Sequence, residues 1–175
     1  MADQLPDLVE TYAKLDGKQM GLPLRFTMNH SDDEKDLRRA RADLDEYCYI
    51  DNCYQGSNHF IEGQLHSVQP IACEKYPVFV LNRRSWCLIT TENFGPVIQT
   101  EIGALIVGGI INPNENVRCT RGSEKGHFEL AGSTIVLLFQ PERISLRPEL
   151  EKRLAVNKEI RVQQGMWIAD RINNN

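Results

Sequence analysis

Trp86-Cys87-Leu88-Ile89-Thr90-Thr91-Glu92-Asn93-Phe94-Gly95-Pro96-Val97-Ile98-Gln99-Thr100-Glu101-Ile102 sets the architecture of this chain. Two runs rich in β-branched and aromatic residues, 86–90 and the beginning of 96–111, flank a break that contains Asn, Gly and Pro. Side chains of that kind suit the pleated, half-buried surface of a sheet, and breaks of that kind suit turns. The pattern predicts antiparallel strands joined as hairpins. The same texture returns at 76–81, 117–119 and 133–139. Asn112-Pro113-Asn114-Glu115-Asn116 predicts a turn between two of these strands. Gly63, Gly95, Gly103, Gly108, Gly109, Gly122, Gly126 and Gly132 punctuate the region as the bulges and bends of a curved sheet would. A mainly β (α+β) fold is expected, with a compact antiparallel β-sheet or barrel-sandwich body.

Upstream of this body the periodicity changes. Leu5, Leu8, Val9 and Tyr12 fall at helical spacing, with Gly17 as a stop. Ser31 and Glu34 have the spacing of a capping box, and Leu37, Ala40, Leu44 and Tyr47 follow at helical intervals among Asp, Glu and Arg. The chain therefore divides into a helical, charged lead-in over 1–46 and a β domain over 47–175. Downstream, Arg147-Pro148-Glu149-Leu150-Glu151 opens a short helix, since proline fits a first turn. Residues 162–168 predict a last strand, kinked at Gly165. Helices are expected largely in the lead-in and after Pro148.

Composition narrows the function classes. The 175 residues are 41% hydrophobic and 25% charged, with 20 Lys+Arg against 24 Asp+Glu and a net charge of −4. Nucleic-acid binding needs clustered excess basic charge, so no nucleic-acid partner is expected. The longest apolar run, 102–111, is about half of a ~20-residue membrane span. With the acidic, polar start Met1-Ala2-Asp3-Gln4, this predicts a cytoplasmic location. Cys48, Cys53, Cys73, Cys87 and Cys119 include no C-x-x-C pair, so reduced thiols are expected and no metal.

The chemistry-bearing stretch runs from Arg121 through Glu124-Lys125-Gly126-His127-Phe128 to Gly132-Ser133-Thr134, and on into Ile135-Val136-Leu137-Leu138-Phe139. By itself Gly-Ser-Thr before an apolar run is a turn and a buried strand. It follows Gly-x-Leu-His-Ser-Val-x-Pro at 63–70 and Val78-Phe79-Val80-Leu81-Asn82-Arg83. Phe94-Gly95-Pro96-Val97, Glu101-Ile102-Gly103-Ala104-Leu105-Ile106-Val107-Gly108 and Lys125-Gly126-x-Phe128 come between. In this order, over roughly 47–139, the sequence resembles the phosphatidylserine decarboxylase family.

That resemblance implies a carboxy-lyase made by self-cleavage. The Ser133 hydroxyl attacks the Gly132 carbonyl, and the peptide bond becomes an ester. Elimination and hydrolysis leave a pyruvoyl group at residue 133, the cofactor. Its carbonyl condenses with the amine of phosphatidylserine and takes up the electrons freed as carbon dioxide leaves, which yields phosphatidylethanolamine. Gly132 is expected in a tight, strained bend and Ser133 at the start of a strand, where Thr134 pins the reacting bond against the sheet. The resemblance also implies a homodimer and an apolar face for peripheral attachment to a membrane surface.

Two motifs that activate the serine in this family depart from the pattern. An Asp-x-His-Arg-x-His motif would fall at Asp43-Leu44-Asp45-Glu46-Tyr47-Cys48, so Asp45 and Cys48 stand at the histidine positions and Glu46 at the arginine. Of a Pro-x-Asp-Gly motif only Asp16-Gly17 is available. His59, His66 and His127 read as hydrogen-bonded structural histidines and His30 as exposed; a replacement base is sought first at His66, His127 and Asp43. The alternative function is a non-catalytic, uncleaved relative acting as a lipid- or subunit-binding β domain. A lipoyl- or biotin-type carrier is disfavoured, because Lys125 lies between Glu124 and Gly126 rather than in a carrier motif.

Overall fold

Strands β4 (Arg84–Thr91) and β5 (Gly95–Ile102) pair antiparallel over their full length, from Arg84↔Ile102 to Thr91↔Gly95. Thr91 closes the hairpin: its Oγ1 accepts the Phe94 N–H at 2.9 Å and donates to the Gly95 carbonyl at 2.8 Å. Gly95 has φ +71°, a conformation in which other residues carry a Cβ clash. This hairpin is the centre of the computed structural model, which describes residues 26–29, 53–119, 123–154, 160–163 and 166–172.

Around it forms a six-stranded sheet of order β7-β2-β4-β5-β9, with β3 also on β4. Its further strands are β2 (Cys53–Gln55), β3 (His59–Ile61), β7 (Val117–Cys119) and β9 (Thr134–Phe139). All of its pairings are antiparallel, so the body is mainly β. Val97, Ile98 and Ile102 of β5 are buried, as are Cys87 and Ser85 of β4, and Phe94 meets Phe139 edge-on at 6.2 Å.

Two expectations about this body are corrected. Residues 76–81 are not a strand: α1 (Pro70–Lys75) and α2 (Val78–Leu81) occupy the region. Pro70 opens α1, and Leu81 and Asn82 N–H groups donate to Pro77 and Val78 carbonyls. A short apolar run cannot distinguish a strand from one buried helical turn, and here Val78, 1% exposed, belongs to the turn. Nor is 96–111 one strand. β5 ends at Ile102, residues 104–107 fold back on themselves with Ala104 and Val107 exchanging backbone hydrogen bonds, and β6 (Ile110–Ile111) then pairs with β8 (His127–Phe128). The turn places Ile106 at φ 64°, a rare state for a β-branched residue.

A smaller apolar cluster lies in the C-terminal part. Leu150 of α3 (Pro148–Leu154) packs with Ile160 and Val162 of β11 (Ile160–Gln163), and Ile168 joins them. A last strand is expected at 162–168; instead β11 ends at Gln163, residues 166–168 are not strand, and the last strand among the described residues starts at Ala169. β10 (Ile144–Leu146) and β12 (Ala169–Arg171) pair antiparallel, and Arg171 donates to Asn93 Oδ1 at 3.1 Å, reaching the β4–β5 turn. Within the lead-in, read from its sequence as helical, Phe26–Asn29 is strand β1, parallel to β11. It owes its form to a partner more than 130 residues away in sequence, which local periodicity does not reveal. The expected helices over 5–12 and 31–47 lie outside the described residues.

Candidate active site

Three chain segments meet at one end of the sheet. Arg84 begins β4, Ile102 ends β5 and Thr134 begins β9, and these residues are in register across the three strands. Ser133 stands one residue before β9, as expected. Its Oγ donates to the Ile102 carbonyl oxygen at 2.6 Å. Gly132 beside it is exposed, and a methyl group added there would meet nothing within 4 Å. The strained bend expected at Gly132 is not found there. The left-handed residue is Leu130, with φ 72° and 94% exposure. Backbone bonds from Glu129 to Gly109 and from Ala131 to Glu129 shape the bend, so the constraint falls two residues before the bond.

Asn82 holds the same end together. Fully buried, it accepts the His66 N–H at 3.0 Å and donates to the carbonyls of His66 and Gly103, both at 2.8 Å. Gly103 N–H donates to Arg83 O, and Arg83 N–H to Gln64 O. The motif residues 64–66, 82–83 and 102–103, distant in sequence, are thus joined beside Ser133.

A second polar group lies under residues 123–133. Lys125 Nζ reaches Glu101 Oε1 at 2.6 Å and Asn112 Oδ1 at 2.9 Å. Glu101 also accepts from Gln99 Nε2 at 2.8 Å and from Asn112 Nδ2 at 3.3 Å, and Asn112 Nδ2 donates to Ser85 Oγ at 3.0 Å. Both charged side chains are largely out of water, 16% and 7% exposed. Every polar atom named has a partner, which a buried charge requires. Next to this group the Cys87 thiol is pushed up to about 11: burial raises it, and the field of Lys125 offsets only part of that.

The histidines are placed as follows. His59 stacks on Trp86 at 4.2 Å between ring centres. His127 Nδ1 pairs with Glu124 Oε1 at 2.8 Å on the surface. His66 is exposed, and its main chain is the part held by Asn82. Among the described residues, the partner of the Ser133 hydroxyl is the Ile102 carbonyl rather than an imidazole or carboxylate. Asp16, His30, Asp43, Asp45 and Cys48 lie outside the described residues. Glu101 and Asn82 carry the site's polar framework, and sequence reading missed both roles. The available signal was a single carboxylate inside the apolar run 96–111, since a charge on a buried strand implies a partner.

A mostly antiparallel sheet that presents a Gly-Ser-Thr bond at the mouth of an edge strand agrees with the family that the motifs suggest. The phosphatidylserine decarboxylase family profile matches residues 43–170, and the chain belongs to that family. It is 38% identical over 134 residues to phosphatidylserine decarboxylase proenzyme 2 of Clostridium acetobutylicum, covering 77% of this chain and 46% of that protein. It is 33% identical over 138 residues to the phosphatidylserine decarboxylase proenzyme of Clostridium botulinum strain Eklund 17B, covering 78% and 47%. The proenzyme of Desulfitobacterium hafniense strain DSM 10664 / DCB-2 is 32% identical over 139 residues, covering 77% and 46%. The chain thus spans about half the length of the curated relatives it matches. No solved structure matches. Among the described residues, no helix is long and apolar enough to cross a membrane.

Proposed function

We propose that this chain cleaves itself between Gly132 and Ser133 and, as the resulting pyruvoyl enzyme, decarboxylates phosphatidylserine to phosphatidylethanolamine. The observation that carries the reading is the setting of Gly132-Ser133-Thr134. The hydroxyl is anchored on Ile102, while the neighbouring peptide bond stays open. Donation to Ile102 fixes the Oγ and leaves its lone pairs free to face the Gly132 carbonyl carbon. The Oγ–C bond then forms as the C–N bond breaks, and the proton leaving Oγ passes to the departing amine of residue 133. The carbonyl of Ile102 orients the hydroxyl but is too weak a base to remove its proton. With no imidazole or carboxylate on the hydroxyl among the described residues, slow cleavage is expected, since lack of a general base costs a factor of ~10²–10⁴.

The open space at Gly132, just ahead of the head of β9, has room for a pyruvoyl group at residue 133. Once formed, that group supplies the carbonyl that withdraws electrons during decarboxylation. A lipid substrate drawn from a membrane surface is supported by the exposed apolar side chains Leu105, Ile106 and Leu130 near this end of the sheet. A homodimer is supported by Ile135 and Leu137, each nearly half exposed on β9, the last strand of the sheet.

The test is intact-mass spectrometry of freshly purified protein. Two products, residues 1–132 and 133–175, are expected beside uncut precursor, the smaller without a free amino terminus. Ser133→Ala is expected to leave one chain. A wild-type chain that stays whole on prolonged incubation overturns the reading. That result would favour the second reading, an uncleaved lipid- or subunit-binding relative, which the carbonyl partner of Ser133 and the Asp45 and Cys48 substitutions support.

A further inference from the structure

Cys53 and Cys119 stand directly opposite each other on β2 and β7. Opposed residues of an antiparallel pair have Cα atoms about 4.5–5.5 Å apart and side chains on one face of the sheet. Disulfides span Cα separations of about 4.4–6.8 Å, so this pair can be bridged without moving the backbone.

The side chains agree with the register. Cys53 Sγ lies 3.7 Å from the Cys119 carbonyl, and Cys119 Sγ lies 3.8 Å from Gln55 Oε1 on the same two strands. Cys53 is buried, and burial first, then the neighbouring Cys119 sulfur, raise its thiol. Cys119 is only partly buried and is the more accessible to an oxidant. Cys87, opposite Gln99 on the next hairpin, faces neither of them in register.

We propose that Cys53 and Cys119 are a disulfide-forming pair, closed by a small disulfide oxidant such as oxidised glutathione. The Cys119 thiolate attacks one sulfur of the oxidant, forming a mixed disulfide and releasing one glutathione thiolate, which takes up a proton. Cys53 then gives its proton to solvent and displaces the second glutathione. Two protein thiols are oxidised, one glutathione disulfide is reduced to two thiols, and no further reactant is needed. The bond ties β2 to β7, the strand from which the chain runs on toward Ser133. Both cysteines precede Gly132, so the pair is independent of self-cleavage and is read equally in whole or divided protein.

Purified native protein is incubated with oxidised glutathione in mildly alkaline buffer, quenched by acid and alkylation, and mapped without reduction. The expected result is a mass lower by two hydrogens, a single Cys53–Cys119 linked peptide, and reversal by dithiothreitol. Cys53→Ser should stop at a glutathione adduct on Cys119, and Cys119→Ser should leave Cys53 unmodified. The wild-type map alone decides the matter if either variant fails to fold. A lasting glutathione adduct on wild-type Cys119 overturns the proposal. So do links to Cys48, Cys73 or Cys87 in its place, or a link that forms only in urea.

Discussion

At Lys125 the chain is fixed by a 2.6 Å ion pair to a buried carboxylate, whereas at Gly132 it lies exposed, with Ser133 holding to the sheet through one hydroxyl. The two grips end on neighbouring residues of β5, the Glu101 side chain and the Ile102 carbonyl. The difference assigns separate tasks to the two points. Charge pairing between Lys125 and Glu101 sets where residues 123–133 run, and the Gly132–Ser133 bond is presented without being enclosed. The proposed self-cleavage needs rigid support around the bond and freedom at the bond itself.

The largest effect is expected from breaking the buried grip. Lys125→Met leaves Glu101 with no counter-charge in a place that excludes water, which costs about 3–5 kcal/mol. Urea denaturation should show that loss, and the double variant Glu101→Leu with Lys125→Met should recover most of it. A single variant as stable as wild type would mean that the pair is solvated and that the two points do not differ in kind. Asn82→Ala comes next. It strands the main chain of His66 and the Gly103 carbonyl, and about 2–4 kcal/mol is expected to be lost.

Much of the framework is legible in the sequence. The β4–β5 hairpin and β7 follow from alternating β-branched runs and their Asn and Gly breaks, and β9 was placed to within one residue. What escaped was whatever depends on distant partners. Val78–Leu81 has strand-like composition yet forms a helical turn, because Asn82 behind it is committed to His66 and Gly103. Phe26–Asn29 is a strand only through β11. At the candidate site, the motif singles out Ser133, but its partner is a backbone carbonyl, and residue identity carries no signal for that. Lys125 was visible as a charge; that it is buried against Glu101 follows only from folding β6 onto β8.

A smaller effect tests the dryness of the same buried region. The Cys87 thiol is raised from 9.0 to about 11 by burial, so the folded protein holds that proton more tightly than the unfolded chain. This contribution is complete below pH 9.0 and is lost as pH rises toward about 11, on the order of 2 kcal/mol. The urea midpoint should fall across that window in wild type more steeply than in Cys87→Ala. Equal slopes would place water beside Cys87 and weaken the contrast with Gly132.

The smallest effect separates anchoring from strain. Leu130 lies in the left-handed region two residues before the reactive bond, and with 94% exposure its side chain gains little from packing. Leu130→Gly removes a backbone penalty of ~1–2 kcal/mol but adds unfolded-state freedom of ~0.5–1 kcal/mol. A net stabilisation of at most about 1.5 kcal/mol follows. If the hydrogen bond to Ile102 and the Lys125 grip position the bond, the ratio of cut to uncut chain should stay at the wild-type value while the urea midpoint rises slightly. A stabilised variant that cuts more slowly would show that the bend stores strain which cleavage uses. The open bond would then be driven from Leu130, and anchoring would account for its place but not its reactivity.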